Sequence, residues 1–153
     1  MLDILNPIIS LVKEAGELSY DLFRGSVTVS MKADQTPVTQ ADRDVNDHIA
    51  KGLQELCPHI PLISEEQSIP SIEERQSWPE YWLLDPLDGT HSFINDSEEF
   101  VICLAYMVNQ QPIFGLIHQP VTGTSWMATT HHSAVKIPLG DHSISLPIQA
   151  ATD

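Results

Sequence analysis

The run Tyr81-Trp82-Leu83-Leu84 leads directly into Asp85-Pro86-Leu87-Asp88-Gly89-Thr90, and this junction constrains the fold more than any other stretch. Its bulky residues, punctuated by Pro79 and Pro86, predict a short buried strand. The strand would deliver two carboxylates, three residues apart, into a turn. Pro86 presets one backbone angle and Gly89 frees another, so a tight turn can point both acids the same way. Carboxylates crowded like this repel each other unless a cation sits between them or one of them stays protonated. The pattern predicts a hard-metal site that handles an oxygen-rich substrate.

Charge sharpens that expectation. The 153 residues carry 21 acids against 7 bases, a formal charge of -14. Such a surface repels nucleic-acid backbone and anionic membrane, so neither is an expected partner. A small anionic substrate is also disfavoured unless bound cations reverse the local field, so any phosphate site requires metal. The length fits one domain, and 42% hydrophobic residues suffice for a core. Two cysteines, Cys57 and Cys103, and an N-terminus without a basic, apolar leader pattern predict a soluble chain in a reducing cytoplasm. No apolar run approaches the ~18–20 residues of a membrane-spanning helix.

From Leu2 to Phe23 the apolar residues Leu5, Ile8, Ile9, Val12, Leu18 and Leu22 fall near helical spacing, with Asp3 or Asn6 as cap, Pro7 in the first turn and Gly25 at the end. Val27 to Lys32 alternates like a strand, and Ala33 to Pro37 reads as a turn. A second helix is expected from about Gln40 to Leu56, its apolar face Val45, Ile49, Leu53 and Leu56, stopped by Pro58. Thr39 is its natural N-cap, which makes Asp42 a capping-box acid on the simplest reading. Ile60 to Ser64 reads as a short strand closed by Glu65-Glu66, and Ser68 to Trp78 as a short polar helix. Thr90 to Ile94 predicts a helical turn whose N–H groups face the acids, a ready anion site. Phe100 to Val108 reads as a strand buried on both faces, followed by strands at Ile113–His118 and Thr124–Ala128 in an antiparallel meander. The tail from Thr129 to Asp153 is weakly patterned: His131-His132 read as a surface pair, and Lys136-Ile137 and Ser143–Leu146 as edge strands.

The acids at strand and helix ends are Asp42, Glu65, Asp85 and Asp88. Oxygen-only ligands select magnesium, manganese or calcium over zinc. Two cations bridged by Asp85 would match a two-metal arrangement with centres ~3.5–4 Å apart. Asp42 would orient the Thr90 hydroxyl toward an attacking water, and the Gly89 and Thr90 amides would hold a phosphate. Calcium loops and cap motifs also contain such a di-acid turn.

Asp85-Pro86-Leu87-Asp88-Gly89-Thr90 with Phe93 resembles the DPxDGTxxF motif of the inositol monophosphatase superfamily. Lys32-Ala33-Asp34 through Pro37-Val38-Thr39 to Ala41-Asp42 resembles that superfamily's K-A-D-x-S/T-P-V-T-x-A-D segment, and Ser64-Glu65-Glu66 its S/G-E-E element. The three ordered motifs, within Met1 to about Ala128, are most similar to the CysQ-type 3'(2'),5'-bisphosphate nucleotidase branch. The resemblance implies an α+β layered sandwich of the sugar-phosphatase type, with two long helices on a mostly antiparallel sheet. It implies metal ligation by Glu65, Asp85, Asp88 and the Leu87 carbonyl, with Glu65 also counted in the catalytic set. It implies water activation by Asp42 with Thr90, and phosphate contact by Gly89 and Thr90, while Lys32 lies near the site. The implied cofactor is Mg2+, two or three ions, with inhibition by Li+. The implied reaction removes the 3'-phosphate of adenosine 3',5'-bisphosphate, a by-product of sulfate assimilation. The implied location is cytoplasmic or peripheral to the inner membrane.

His91-Ser92 stand where that branch usually has Lys-Glu, which loosens the choice of substrate toward an inositol-phosphate or sugar-phosphate phosphatase. Family members also continue into a C-terminal α/β domain whose W-D-x-A aspartate binds metal, whereas here Trp126 precedes Met127 and the sequence stops at Asp153. The expectation is a single N-terminal metal-binding domain over 1–153, its tail 129–153 weakly defined, with the C-terminal domain missing and turnover weak or absent. The alternative is a non-catalytic half-domain that self-associates through the surface where the second domain would pack.

Overall fold

In the computed structural model, described for residues 2–25, 28–31, 37–130, 132–139 and 144–145, the chain starts as one helix, α1, from Leu2 to Phe23. The helix begins early enough that Asp3 and Asn6 lie inside it rather than capping it, and Pro7 is internal. The ring removes one N–H at a position where the ladder has barely begun. Leu5, Ile8, Leu11, Val12 and Ala15 are buried, a stripe at helical spacing that includes Leu11 and leaves Leu18 and Leu22 half-buried. The helix stops at Phe23, and the Gly25 N–H returns to the Leu22 carbonyl.

A small hairpin follows, β1 (Val29–Met31) against β2 (Pro37–Thr39). Lys32 and most of the expected turn, Ala33 to Thr36, lie outside the described residues, as does His131. β2 runs straight into α2 (Gln40–Leu56), whose buried Val45, Ile49 and Leu53 form the expected face. Leu56 departs from it and is exposed. It is the last helical residue, and Cys57, where the backbone leaves helical geometry, takes the buried place instead.

The remaining elements are β3 (Leu62–Ser64), α3 (Ile72–Ser77), β4 (Glu80–Asp88), α4 (Thr90–Ile94), β5 (Val101–Val108), β6 (Gln111–Gln119), β7 (Thr124–Thr129), β8 (His132–Ile137) and β9 (Ile144–Ser145). Strands β3 to β9 form one sheet in sequence order. β3 and β4 are parallel, and every later pair is antiparallel. The segment 132–137, expected to be weakly patterned apart from an edge strand at Lys136-Ile137, is a strand paired with β7, with a register shift between Met127 and Thr129.

α1 and α2 pack together on one face of this sheet. Ile8, Val12, Val45, Ile49 and Leu53 meet Trp82, Leu84, Ile102, Leu104, Phe114 and Leu116 there. The opposite face carries Leu83 and Ile117 at 42% and 45% exposure, with half-buried Cys103, Ala105 and Trp126 beside them. β5 is therefore not buried on both faces, as its continuous apolar run predicts, but alternates buried with half-buried because helices cover one side only. The architecture is α+β and layered: two helices on a mixed, mostly antiparallel sheet.

Candidate active site

The central junction is not a short strand followed by a turn. β4 continues through both acids to Asp88 and bulges between them. Asp85 pairs with Cys103 and Asp88 with Val101, so three steps on β4 match two on β5. Residues three apart on a regular strand face opposite sides, and the extra residue returns Asp88 to the side of Asp85. The Leu87 N–H donates to Asp85 Oδ1 at 3.1 Å, which holds the bulge from within. Beneath it, Leu87 joins Ala41, Phe93 and Phe100 in a second apolar cluster. The rings of Phe23, Phe93 and Phe100 lie 5.0–5.4 Å apart, pairs worth about 0.5–1.5 kcal/mol each beyond their buried area.

Gly89 starts α4 with φ 102°, and a Cβ there would stand 2.7 Å from the Glu99 carbonyl oxygen. Only glycine fits both demands. The chain turns there, so Thr90 becomes the first residue of α4 and its hydroxyl is aimed back at α2. Thr90 Oγ1 donates toward Asp42 Oδ1 at 3.1 Å and lies 3.2 Å from the Leu87 carbonyl oxygen.

Asp42 is 2% exposed. Its other oxygen, Oδ2, accepts the Thr39 N–H at 2.7 Å and the Thr39 hydroxyl. The Asp42 N–H in turn reaches Thr39 Oγ1 at 3.4 Å, which completes a capping box. The cap reading and the site reading of Asp42 are thus both met, one by each oxygen. Because the cap saturates Oδ2, Oδ1 is presented to Thr90.

Glu65 leaves the end of β3 with an exposed side chain, and its N–H donates to the Leu84 carbonyl at 3.2 Å, next to Asp85. The parallel pairing of β3 with β4 brings these two strand ends to one edge, as expected. Burial first, and the charge of Glu65 second, push the Asp85 carboxyl up to about 6; Asp88 and Asp42 add to the rise, and the Leu87 N–H opposes it. The four acids named from sequence therefore form one electrostatic group. Among the described residues, no three His, Cys, Asp or Glu side chains close into a ready cage for one ion. Glu65 and Asp88 are exposed, whereas Asp85 is half-buried and Asp42 buried.

The donor set fits a hard divalent cation. It offers only carboxylate and carbonyl oxygens, and the strained ionisation of Asp85 is what a cation relieves. Cys103 pairs with Asp85 across the strands, and burial and then the charges of Asp88 and Asp85 raise its thiol to about 11. Two polar residues near the acids were given no role from sequence, Asn46 and Ser64, whose side chains bond to each other at 2.7 Å. Asn46 stands four residues after Asp42 on a predicted helix, so helical spacing already placed it on the same face.

The profile of the inositol monophosphatase family matches residues 2–144. A protein of Aggregatibacter actinomycetemcomitans named 3'(2'),5'-bisphosphate nucleotidase CysQ is 40% identical over 139 residues, 91% of this chain and 52% of its own length. The crystal structure of CysQ from Bacteroides thetaiotaomicron, described as a bacterial member of the inositol monophosphatase family, superposes with a TM-score of 0.77 at 29% identity, covering 96% of this chain and 58% of that one. An IMPase/NADP phosphatase solved with Mg2+ and phosphate superposes with a TM-score of 0.77 at 23% identity over 88% of this chain and 51% of its own, a likeness of fold. The chain spans about half the length of the curated relatives it matches. With its matched region running nearly end to end, the chain belongs to the inositol monophosphatase family.

Proposed function

We propose that this chain carries the cation- and phosphate-binding half of a magnesium-dependent phosphomonoesterase of the 3'(2'),5'-bisphosphate nucleotidase type. The observation that carries the reading is the divided carboxylate of Asp42, with one oxygen spent on the Thr39 cap and the other on the Thr90 hydroxyl, beside an Asp85 crowded by Glu65 and Asp88. The name of the CysQ relatives, 3'(2'),5'-bisphosphate nucleotidase, supports a nucleotide bisphosphate as the substrate class, within which adenosine 3',5'-bisphosphate is our choice, and the neighbour solved with Mg2+ and phosphate supports the choice of cation.

In this reading Glu65, Asp85, Asp88 and the Leu87 carbonyl would hold Mg2+. Bound there, Mg2+ supplies Lewis-acid charge to phosphate oxygens and acidity to water. The protein's own part is positional. Thr90 donates its proton to Asp42 Oδ1, which leaves the Thr90 oxygen free to accept a hydrogen bond from an attacking water and to aim it. The other oxygen of Asp42 receives two donors from Thr39, which fixes the carboxylate for that role. The Gly89 and Thr90 amides at the start of α4 are offered to phosphate oxygens. Water oxygen bonds to phosphorus, the bond from phosphorus to the 3'-oxygen breaks, and that oxygen leaves carrying the proton that the water gives up.

The test is Mg2+-dependent phosphate release from adenosine 3',5'-bisphosphate, with inositol 1-phosphate as competitor and Asp88→Ala alongside. Slow, Mg2+-dependent release that Asp88→Ala abolishes is expected. Release that is independent of Mg2+, or equal in the variant, overturns the reading, and preference for inositol 1-phosphate moves the substrate to the sugar-phosphate class.

A further inference from the structure

Asp42 and Asn46 lie one turn apart on α2, both buried, Asn46 at 4% exposure. Asp42 reaches toward β4 and Thr90, whereas Asn46 reaches toward β3. The Ser64 hydroxyl, itself on a residue 1% exposed, donates to Asn46 Oδ1 at 2.7 Å. Asn46 is held in turn, because its Nδ2 donates to Asp47 Oδ1 at 3.0 Å. Ser64 is the last residue of β3 and immediately precedes Glu65.

The backbone past Ser64 is tied at each step. The Glu65 N–H donates to Leu84 O at 3.2 Å, the Gln67 N–H to Ser64 O at 3.2 Å, and the Glu66 N–H reaches Ser64 Oγ at 3.4 Å. The root of the Glu65 side chain is thus fixed from two directions: by β4 beside Asp85, and by α2 one turn from Asp42. We propose that Asn46 is a positioning residue for the cation site, acting through Ser64 to set where Glu65 stands relative to Asp85. The proposal rests on the reading of these acids as a cation site.

Its physical basis is preorganisation. Glu65 is a long, exposed side chain whose charge acts on Asp85, and a firmly anchored backbone lowers the ordering cost of bringing it to a shared cation. A buried hydrogen bond adjacent to a ligand serves that purpose, and loss of such a supporting contact weakens metal binding by about tenfold or more.

The test uses Mn2+ as probe on the full chain, with free Mn2+ read by electron paramagnetic resonance. Asn46→Ala and Ser64→Ala are each expected to weaken Mn2+ binding by about tenfold. The double variant should be no weaker than either single one, since both remove the same bond. Ser19→Ala is the control: it deletes a fully buried hydroxyl bonded to Gly16 O at 2.9 Å within α1, a different element from those that carry the acids, and should keep full affinity. Far-UV circular dichroism without cation verifies folding, and Ser64→Ala carries the test if Asn46→Ala does not fold. Wild-type affinity in both Asn46→Ala and Ser64→Ala, or an equal loss in Ser19→Ala, overturns the positioning role while leaving the cation site standing. No Mn2+ binding by the unsubstituted chain overturns the cation site and the positioning role together.

Discussion

At the scale of single residues, the site depends on two carboxylates held in opposite electrostatic conditions. Asp42 is nearly inaccessible yet receives donors on both oxygens, so its charge is matched. Asp85 is half-buried among like charges, and its only described donor is the Leu87 N–H. Its folded pKa of about 6 lies above the ordinary 3.8, so its favourable contribution is complete below pH 3.8 and is lost as pH rises through 6. At pH 7 without cation, Asp85 therefore destabilises the fold. Asp85→Asn is expected to raise cation-free stability at pH 7 by about 1 kcal/mol, once solvent screening is allowed for. The same variant should lose the shift in Tm that Mg2+ gives the unsubstituted protein. Thermal melts with and without Mg2+ check both, and a less stable cation-free variant would contradict the reading. The chemistry of these residues was legible before folding, since a di-acid stretch with proline and glycine limits what can be built. The bulge was not, because it depends on how β5 pairs with β4.

At the scale of elements, α2 is the frame on which the acids are arranged. Its start is written locally: Thr39 and Asp42 form a capping box, and Val45, Ile49 and Leu53 follow at helical spacing. These features follow from backbone sterics and side-chain reach over a few residues, so they survive reading from sequence alone. The ends read less well. Leu56, expected on the buried face, is exposed because the helix ends there and Cys57, where the backbone leaves helical geometry, takes the buried place. Thr39→Ala removes the cap hydroxyl and one donor to Asp42 Oδ2, and should cost about 1–2 kcal/mol, with Thr39→Ser near neutral. Urea denaturation of the two variants checks the contrast. Equal losses would place the effect in the threonine methyl rather than the hydroxyl.

At the scale of the whole molecule, the contact between α1 and the sheet contains a titratable wedge. The His118 ring lies against Gly16, where an added Cβ would stand 2.2 Å from Nε2, and its Nδ1 is 2.9 Å from Ser125 Oγ. Burial, with a smaller part from the charge of Lys13, lowers the His118 pKa to about 4. The unfolded chain then binds the proton first on acidification, so stability falls as pH drops from about 6.5 toward 4, by up to about 3 kcal/mol. Asp85 slopes the other way in an overlapping range, which makes Asp85→Asn the proper background for the measurement. Urea midpoints in that background between pH 7 and pH 4.5 should fall with pH, and flat midpoints would contradict the assignment.

The amino-acid sequence by itself determined the two long helices, the antiparallel meander of the later strands, the capping box and the set of acids at strand and helix ends. Each rests on periodicity, local sterics or side-chain chemistry that a short stretch carries wherever it is placed. Only the tertiary structure decided that Asp85 and Asp88 share a side through a bulge, and that Thr90 meets an acid 48 residues earlier. It also decided that Asn46 grips Ser64, and that helices cover one face of the sheet while Leu83 and Ile117 stay open on the other. Those outcomes belong to pairs of elements, and they follow from the register and packing of one element against the next.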